Sequence, residues 1–117
     1  MRFLVVDDST TMRRIIINTL NKLGYTEIVE AGNGREGIDR VSEGRVDLII
    51  TDWNMPEMNG IDFLKALRTD GITTTFGFVT SESTPAMRET AAQAGAAFLL
   101  AKPFSADDFQ ELLAAVV

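Results

Sequence analysis

Residues able to handle a phosphoryl group stand at the ends of apolar runs in this chain. Phe3-Leu4-Val5-Val6 leads into Asp7-Asp8, and Leu48-Ile49-Ile50-Thr51 leads into Asp52. Phe76-Gly77-Phe78-Val79 leads into Thr80, and Phe98-Leu99-Leu100-Ala101 leads into Lys102. A carboxylate can act as a nucleophile, and phosphoryl transfer needs little beyond positioning and neutralisation of spread negative charge. If the four runs are parallel strands of one sheet, carboxylates, hydroxyl and ammonium all emerge at one edge, since ligands collect beyond the carboxyl ends of such strands.

The segments between the runs carry helical periodicity. Met12, Ile15, Ile16, Thr19, Leu20 and Leu23 recur at three-and-four spacing, with Gly24 at the expected helix end. A run from Glu27 to Ala31 ends at Gly32-Asn33-Gly34, and a weaker helix with Ile38 and Val41 follows. Gly37 inside it should cost about 1 kcal/mol relative to alanine. A third helix carries Ile61, Leu64 and Leu67 after Asn59-Gly60 and closes at Asp70-Gly71. A fourth starts near Pro85 and presents only Met87, Ala91 and Ala94, so it buries little. The last has Ser105 as N-cap, Asp107 and Asp108 near its positive end, and a stripe of Phe109, Leu112, Leu113 and Val116.

Five strands alternating with five helices predict an α/β fold: a three-layer α/β/α sandwich around a five-stranded parallel sheet of order 2-1-3-4-5, flavodoxin-like, forming one domain over 1–117. In that order strands one and three are neighbours about 4.8 Å apart, which gathers Asp7, Asp8 and Asp52. Like charges that close raise one another's pKa, so a cation is expected. With oxygen ligands alone on offer, Mg²⁺ suits the pocket and Mn²⁺ is the alternative.

Composition narrows the chemistry further. The 117 residues contain neither cysteine nor histidine, which excludes disulfides, thiol nucleophiles, imidazole ligands and a phosphohistidine carrier. The net charge of −6 repels nucleic acid and anionic lipid, so no direct nucleic acid binding is expected. No stretch approaches the roughly 20 apolar residues of a membrane span, and the first apolar run is too short for a signal peptide. A cytoplasmic monomer without membrane insertion is the expectation.

Each signal also has a bland reading. Asp7-Asp8 suits the start of a helix, Asp52-Trp53-Asn54-Met55-Pro56 suits a turn, Thr80 an ordinary strand and Lys102 a solvated end. Convergence on one sheet edge is what favours chemistry. Arg13-Arg14 reads as a solvated face of the first helix, and Trp53 as a partly exposed neighbour of the site.

Taken together, Asp7-Asp8, Asp52, Thr80 and Lys102-Pro103-Phe104 resemble, in order and spacing, the signature of the response-regulator receiver family. Asp52-Trp53-Asn54-Met55-Pro56-Glu57-Met58-Asn59-Gly60 and Gln93-Ala94-Gly95-Ala96 are similar to its CheY-like, chemotaxis-type members. The resemblance implies Asp52 as phosphoacceptor, Thr80 and Lys102 as the groups that read the acyl phosphate, and Mg²⁺ held by Asp7, Asp8, Asp52 and the backbone carbonyl of Asn54. It implies Asn54 and Glu82 as residues that tune hydrolysis, and no enzymatic activity beyond self-catalysed phosphorylation and dephosphorylation of Asp52. A sensor histidine kinase or phosphotransfer domain would donate the phosphoryl group, and a downstream protein would bind the face of the fourth helix, fifth strand and fifth helix.

The chain also departs from the family. Leu99 occupies the switch-region position where an aromatic residue is usual, with Phe98 beside it on the opposite face. Gly77 should weaken the fourth strand and leave it and the fourth helix mobile. Alternatives from other classes fit less well: a flavin carrier would be repelled by Asp7-Asp8, and a haloacid-dehalogenase-type phosphatase would need an Asp-x-Asp pattern after the first strand. A pseudo-receiver that binds partners without phosphorylation is the remaining alternative. The chain is read either as a stand-alone regulator or as a receiver from a longer protein.

Overall fold

Strand and helix alternate along the chain because short continuous apolar runs, suited to strands buried on both faces, give way to apolar stripes of period 3.6. A computed structural model describes residues 1–116; Val117, the last residue of the expected 1–117 domain, lies outside the described residues. The order is β1 (Arg2–Val6), α1 (Thr10–Lys22), β2 (Glu27–Ala31), α2 (Gly34–Glu43), β3 (Leu48–Thr51), α3 (Gly60–Thr69), β4 (Thr75–Thr80), α4 (Pro85–Gln93), β5 (Phe98–Ala101) and α5 (Ala106–Val116). The strands form one parallel sheet in the order β2-β1-β3-β4-β5, as the alternation predicts.

Alternate strand residues feed two cores. Leu4, Val6, Ile49, Phe76 and Phe78 pack with Phe63, Leu64 and Leu67 of α3 and Ala91 of α4. Phe3, Val5, Leu48, Ile50 and Val79 face Ile16 and Leu20 of α1 and Phe109 and Leu113 of α5. Each helix is started by a side chain at the sheet's carboxyl edge. Ser9, Asn33, Asn59, Thr84 and Ser105 accept hydrogen bonds from the amides of Met12, Glu36, Asp62, Met87 and Asp108. The Asp108 carboxylate returns the favour at α5 by accepting from the Ser105 amide. These caps bring the positive ends of all five helix dipoles to the edge where the acidic residues emerge.

One sequence reading changes, and two glycines acquire packing partners. Ile15 is 45% exposed, because a step of about 100° carries it away from Ile16; Met12, Ile16, Ile17, Leu20 and Leu23 face the core instead. The cost expected for Gly37 has a structural counterpart: a β-carbon there would lie 2.6 Å from Cζ of Phe63, so glycine lets α2 approach α3. At Gly77 a β-carbon would lie 2.1 Å from the ring of Phe98. The ring therefore occupies the space a side chain on β4 would take, and β4 pairs with both β3 and β5 across the gap. As expected, α4 buries only Ala91.

Gly77→Ala should destabilise the fold by roughly 1–3 kcal/mol in urea unfolding, the range for overpacking a filled core. Gly77→Ala/Phe98→Leu should recover part of that loss; a neutral Gly77→Ala would show that Phe98 does not fill the gap.

Candidate functional site

The parallel register decides where the acidic side chains go. Val6 pairs with Thr51, so the residues that follow, Asp7 and Asp52, leave adjacent strands side by side. The ladder runs on past the strand ends: the Asp7 amide donates to the Ala31 carbonyl at 3.2 Å and the Asp52 amide to the Val6 carbonyl at 2.9 Å. Ligand oxygens of Asp7, Asp8 and Asp52 consequently lie within 4.8 Å of one another.

Lys102 faces this cluster from β5. Its Nζ is 3.3 Å from Oδ2 of Asp7 and 3.7 Å from Oδ1 of Asp52, and its side chain is 15% exposed. The Lys102 amide donates to the Thr80 carbonyl at 2.8 Å, so lysine and threonine are tied through the backbone. Thr80 is fully buried, and its hydroxyl oxygen accepts from the Glu82 amide at 3.3 Å. That leaves the hydroxyl proton as the group with which Thr80 can meet a new acceptor. Asp7, 1% exposed, is held by the Ser9 amide at 2.9 Å; Asp52 accepts from the Trp53 amide at 2.8 Å. The sequence-predicted Asp7, Asp8, Asp52 and Lys102 thus converge.

Other expected site residues sit around this centre. Asn54 and Glu82 are exposed on the loops after β3 and β4. Leu99 is half-buried against the α3 side of the sheet, and Phe98 is buried on the α1 side, the split expected from strand alternation. Leu99 and Leu100 also line a groove with Asp108, Glu111, Leu112 and Ala115 of α5. Trp53 is partly exposed, its ring 4.8 Å from that of Phe78.

Arg13 is a correction. It does not lie on a solvated face: its side chain is 17% exposed, and its guanidinium donates to the Asp7 carbonyl, to Glu30 and to Thr10. The signal was present in the sequence. Helical side chains tilt toward the N-terminus, so a residue one turn into α1 reaches back over the loop that carries Asp7-Asp8.

Burial is the largest influence on Asp52, followed by the Asp7 carboxylate; together with Asp8 they outweigh Lys102 and the Trp53 amide and raise its pKa above the ordinary 3.8. The folded chain therefore holds this proton more tightly than the unfolded chain. Stability falls as pH rises from 3.8 through the raised folded value, and the penalty persists above it. In metal-free buffer Asp52→Asn should raise the melting midpoint at pH 7, and the gain should vanish below pH 3.8. An equal gain at both pH values would contradict this origin.

The loop after β3 carries a second unfavourable feature. Glu57 has φ 67°, and the Met58 amide closes a three-residue turn on the Pro56 carbonyl at 2.7 Å. Because left-handed geometry costs a residue with a β-carbon about 1–2 kcal/mol and glycine returns part of that as entropy, Glu57→Gly should stabilise by roughly 0.5–1 kcal/mol in urea unfolding.

Comparison with known proteins agrees with this geometry. Residues 3–114 match the response regulator receiver domain. The chain is 42% identical to chemotaxis protein CheY1 of Helicobacter pylori, over 100% of this chain and 97% of that protein. It is 43% identical to a CheY homolog of Campylobacter jejuni, over 97% of this chain and 89% of the relative. Among solved structures, CheY4 of Vibrio cholerae superposes with a TM-score of 0.91 at 35% identity, covering 99% of this chain and 98% of that one. A shared fold, a full-length sequence match and converging acidic residues lead to one assignment: the chain belongs to the response regulator receiver domain family, among its CheY-type members.

Proposed function

We propose that this chain is a phosphorylatable receiver of a two-component phosphorelay, with Asp52 as the phosphoacceptor. The observation that carries the reading is the convergence of Asp7, Asp8 and Asp52 within 4.8 Å, with Lys102 Nζ against two of them. In the reaction an Asp52 carboxylate oxygen forms the new bond to phosphorus while the bond from phosphorus to the donor breaks, and its electron pair leaves with the donor. Lys102, already within 3.7 Å of Asp52, neutralises charge on the transferred group. The Thr80 hydroxyl donates to one of its oxygens.

The donor set contains oxygen alone, and three gathered carboxylates share a single ammonium neighbour, Lys102, so the residues fit Mg²⁺, with Mn²⁺ as the alternative. Asp7, Asp8, Asp52 and the Asn54 carbonyl would hold the ion, which when bound supplies charge neutralisation for carboxylates and phosphoryl oxygens. Asn54 and Glu82, exposed on the flanking loops, tune access of water to the acyl phosphate and give the phosphorylated state a short life.

The output is a change in partner binding at α4, β5 and α5, because Thr80 and Lys102 sit where β4 and β5 meet that face. A histidine kinase or phosphotransfer domain is the donor partner, and a downstream protein the receiver of the signal. The relatives are chemotaxis proteins, which favours a motility output for this chain. Its net charge of −6 fits protein partners over nucleic acid, and among the described residues no helix is long and apolar enough to cross a membrane. We place it in the cytoplasm as a monomeric domain.

Acetyl phosphate with Mg²⁺ should change Trp53 fluorescence in the wild type, and neither Asp52→Asn nor wild type in excess chelator should respond. Equal responses in wild type and Asp52→Asn would refute the phosphoacceptor; no response and no phosphate incorporation would leave a pseudo-receiver. A phosphorylated state that lasts for hours would remove the role given to Asn54 and Glu82.

A further inference from the structure

Asp8 differs from its two acidic neighbours. Asp7 is held by the Ser9 amide and Lys102, and Asp52 by the Trp53 amide and Lys102, whereas among the described residues the exposed Asp8 carboxylate receives no hydrogen bond. Its place in the cluster must come from its backbone. The peptide plane joining Asp7 to Asp8 is gripped at one point by a side chain: Nη1 of Arg13 donates to the Asp7 carbonyl. Because that carbonyl and the Asp8 amide and Cα are coplanar, fixing the carbonyl direction fixes where the Asp8 Cα sits.

Arg13 is itself held on three sides. Its Nε donates to Oε1 of Glu30 on the edge strand β2 at 3.1 Å, and its Nη2 to the Thr10 hydroxyl at 3.2 Å. Glu30 also gives the guanidinium a carboxylate partner outside the acidic cluster, which keeps it on the carbonyl and off Asp8. The fork geometry of arginine makes such a clamp possible; a lysine ammonium has no fixed plane.

We infer that Arg13 is a positioning residue for the acidic site: by clamping the Asp7 carbonyl between α1 and Glu30 of β2, it aims Asp8 at the cation that the three carboxylates share. The inference rests on reading Asp7, Asp8 and Asp52 as a divalent-cation site. Positioning and charge predict opposite signs. Removing a nearby positive charge by itself tightens cation binding, whereas releasing Asp8 weakens it.

The test is titration with Mg²⁺ alone, followed by Trp53 fluorescence and by calorimetry. Arg13→Ala should bind Mg²⁺ about tenfold more weakly than wild type, in the range found when groups orienting metal ligands are removed. Arg13→Lys should stay several-fold weak. In an Asp8→Asn background Arg13→Ala should cause no further loss, since its effect passes through Asp8. Unchanged or tighter binding by Arg13→Ala, full recovery in Arg13→Lys, or the same tenfold loss on top of Asp8→Asn would each overturn the inference. Should Arg13→Ala not unfold cooperatively, Thr10→Val removes one hold on the guanidinium without changing any charge and should weaken Mg²⁺ binding in the same direction; unchanged binding there counts against the proposal. Wild type that fails to bind Mg²⁺ would instead overturn the cation site itself, whatever the variants do.

Discussion

Repulsion among carboxylates at one sheet edge is the constraint around which the rest of the molecule is arranged. The register of β1 and β3 forces Asp7 and Asp52 together, and burial makes ionising Asp52 unfavourable. A chain selected for stability alone would not keep such a group. The surrounding devices all work on that constraint: Lys102 reaches two of the carboxylates, backbone amides of Ser9 and Trp53 donate into the cluster, and five capped helix N-termini point their positive ends at the same edge. None of them removes the excess negative charge. On the proposed reading, that excess charge is what lets the site respond to a cation and a phosphoryl group.

Much of this was legible in the sequence, because its signals are local and repeated. Strand runs ending in Asp, Thr or Lys stand out as short continuous apolar stretches, and Ser105, Asn59 and Pro85 marked helix starts that the structure reproduces. With element order known, chirality and crossover rules leave few ways to stack the strands, and these place the acidic residues without any long-range information. What could not be read depended on contacts between elements distant in sequence. Gly77 looks like a defect until Phe98 is seen filling its space, and Gly37 looks like a poor helix residue until Phe63 is placed against it. Ile15 fits a three-and-four stripe by spacing, yet it stands about 100° from the centre of the buried face. Arg13 was misread for a different reason: a charge on an amphipathic helix reads as solvated by default, although its tilt toward the N-terminus brings the Asp7 carbonyl and the Thr10 hydroxyl within its reach.

The Phe98 and Gly77 pair bears on how a signal can leave the site. Where a switch aromatic on β5 is usual in the family, this chain has Leu99 on one face and a locked Phe98 on the other, its ring tight against β4. The Phe98 ring is buried and packed against the β4 backbone at Gly77. On the proposed reading, motion is drawn most cheaply from elements with little buried surface, since these separate from the core at least cost. The helix α3 buries Gly60, Ile61, Phe63, Leu64 and Leu67, whereas α4 buries only Ala91. Arg88 of α4 donates to the Leu99 carbonyl of the edge strand β5 at 3.2 Å, so α4 is fastened to β5 by a polar contact that can be exchanged. On the proposed reading, the pull of an acyl phosphate on Thr80 and Lys102 is transmitted to a helix held by few apolar contacts and one replaceable hydrogen bond, and rearrangement of α4 against Leu99 takes the place of an aromatic rotation.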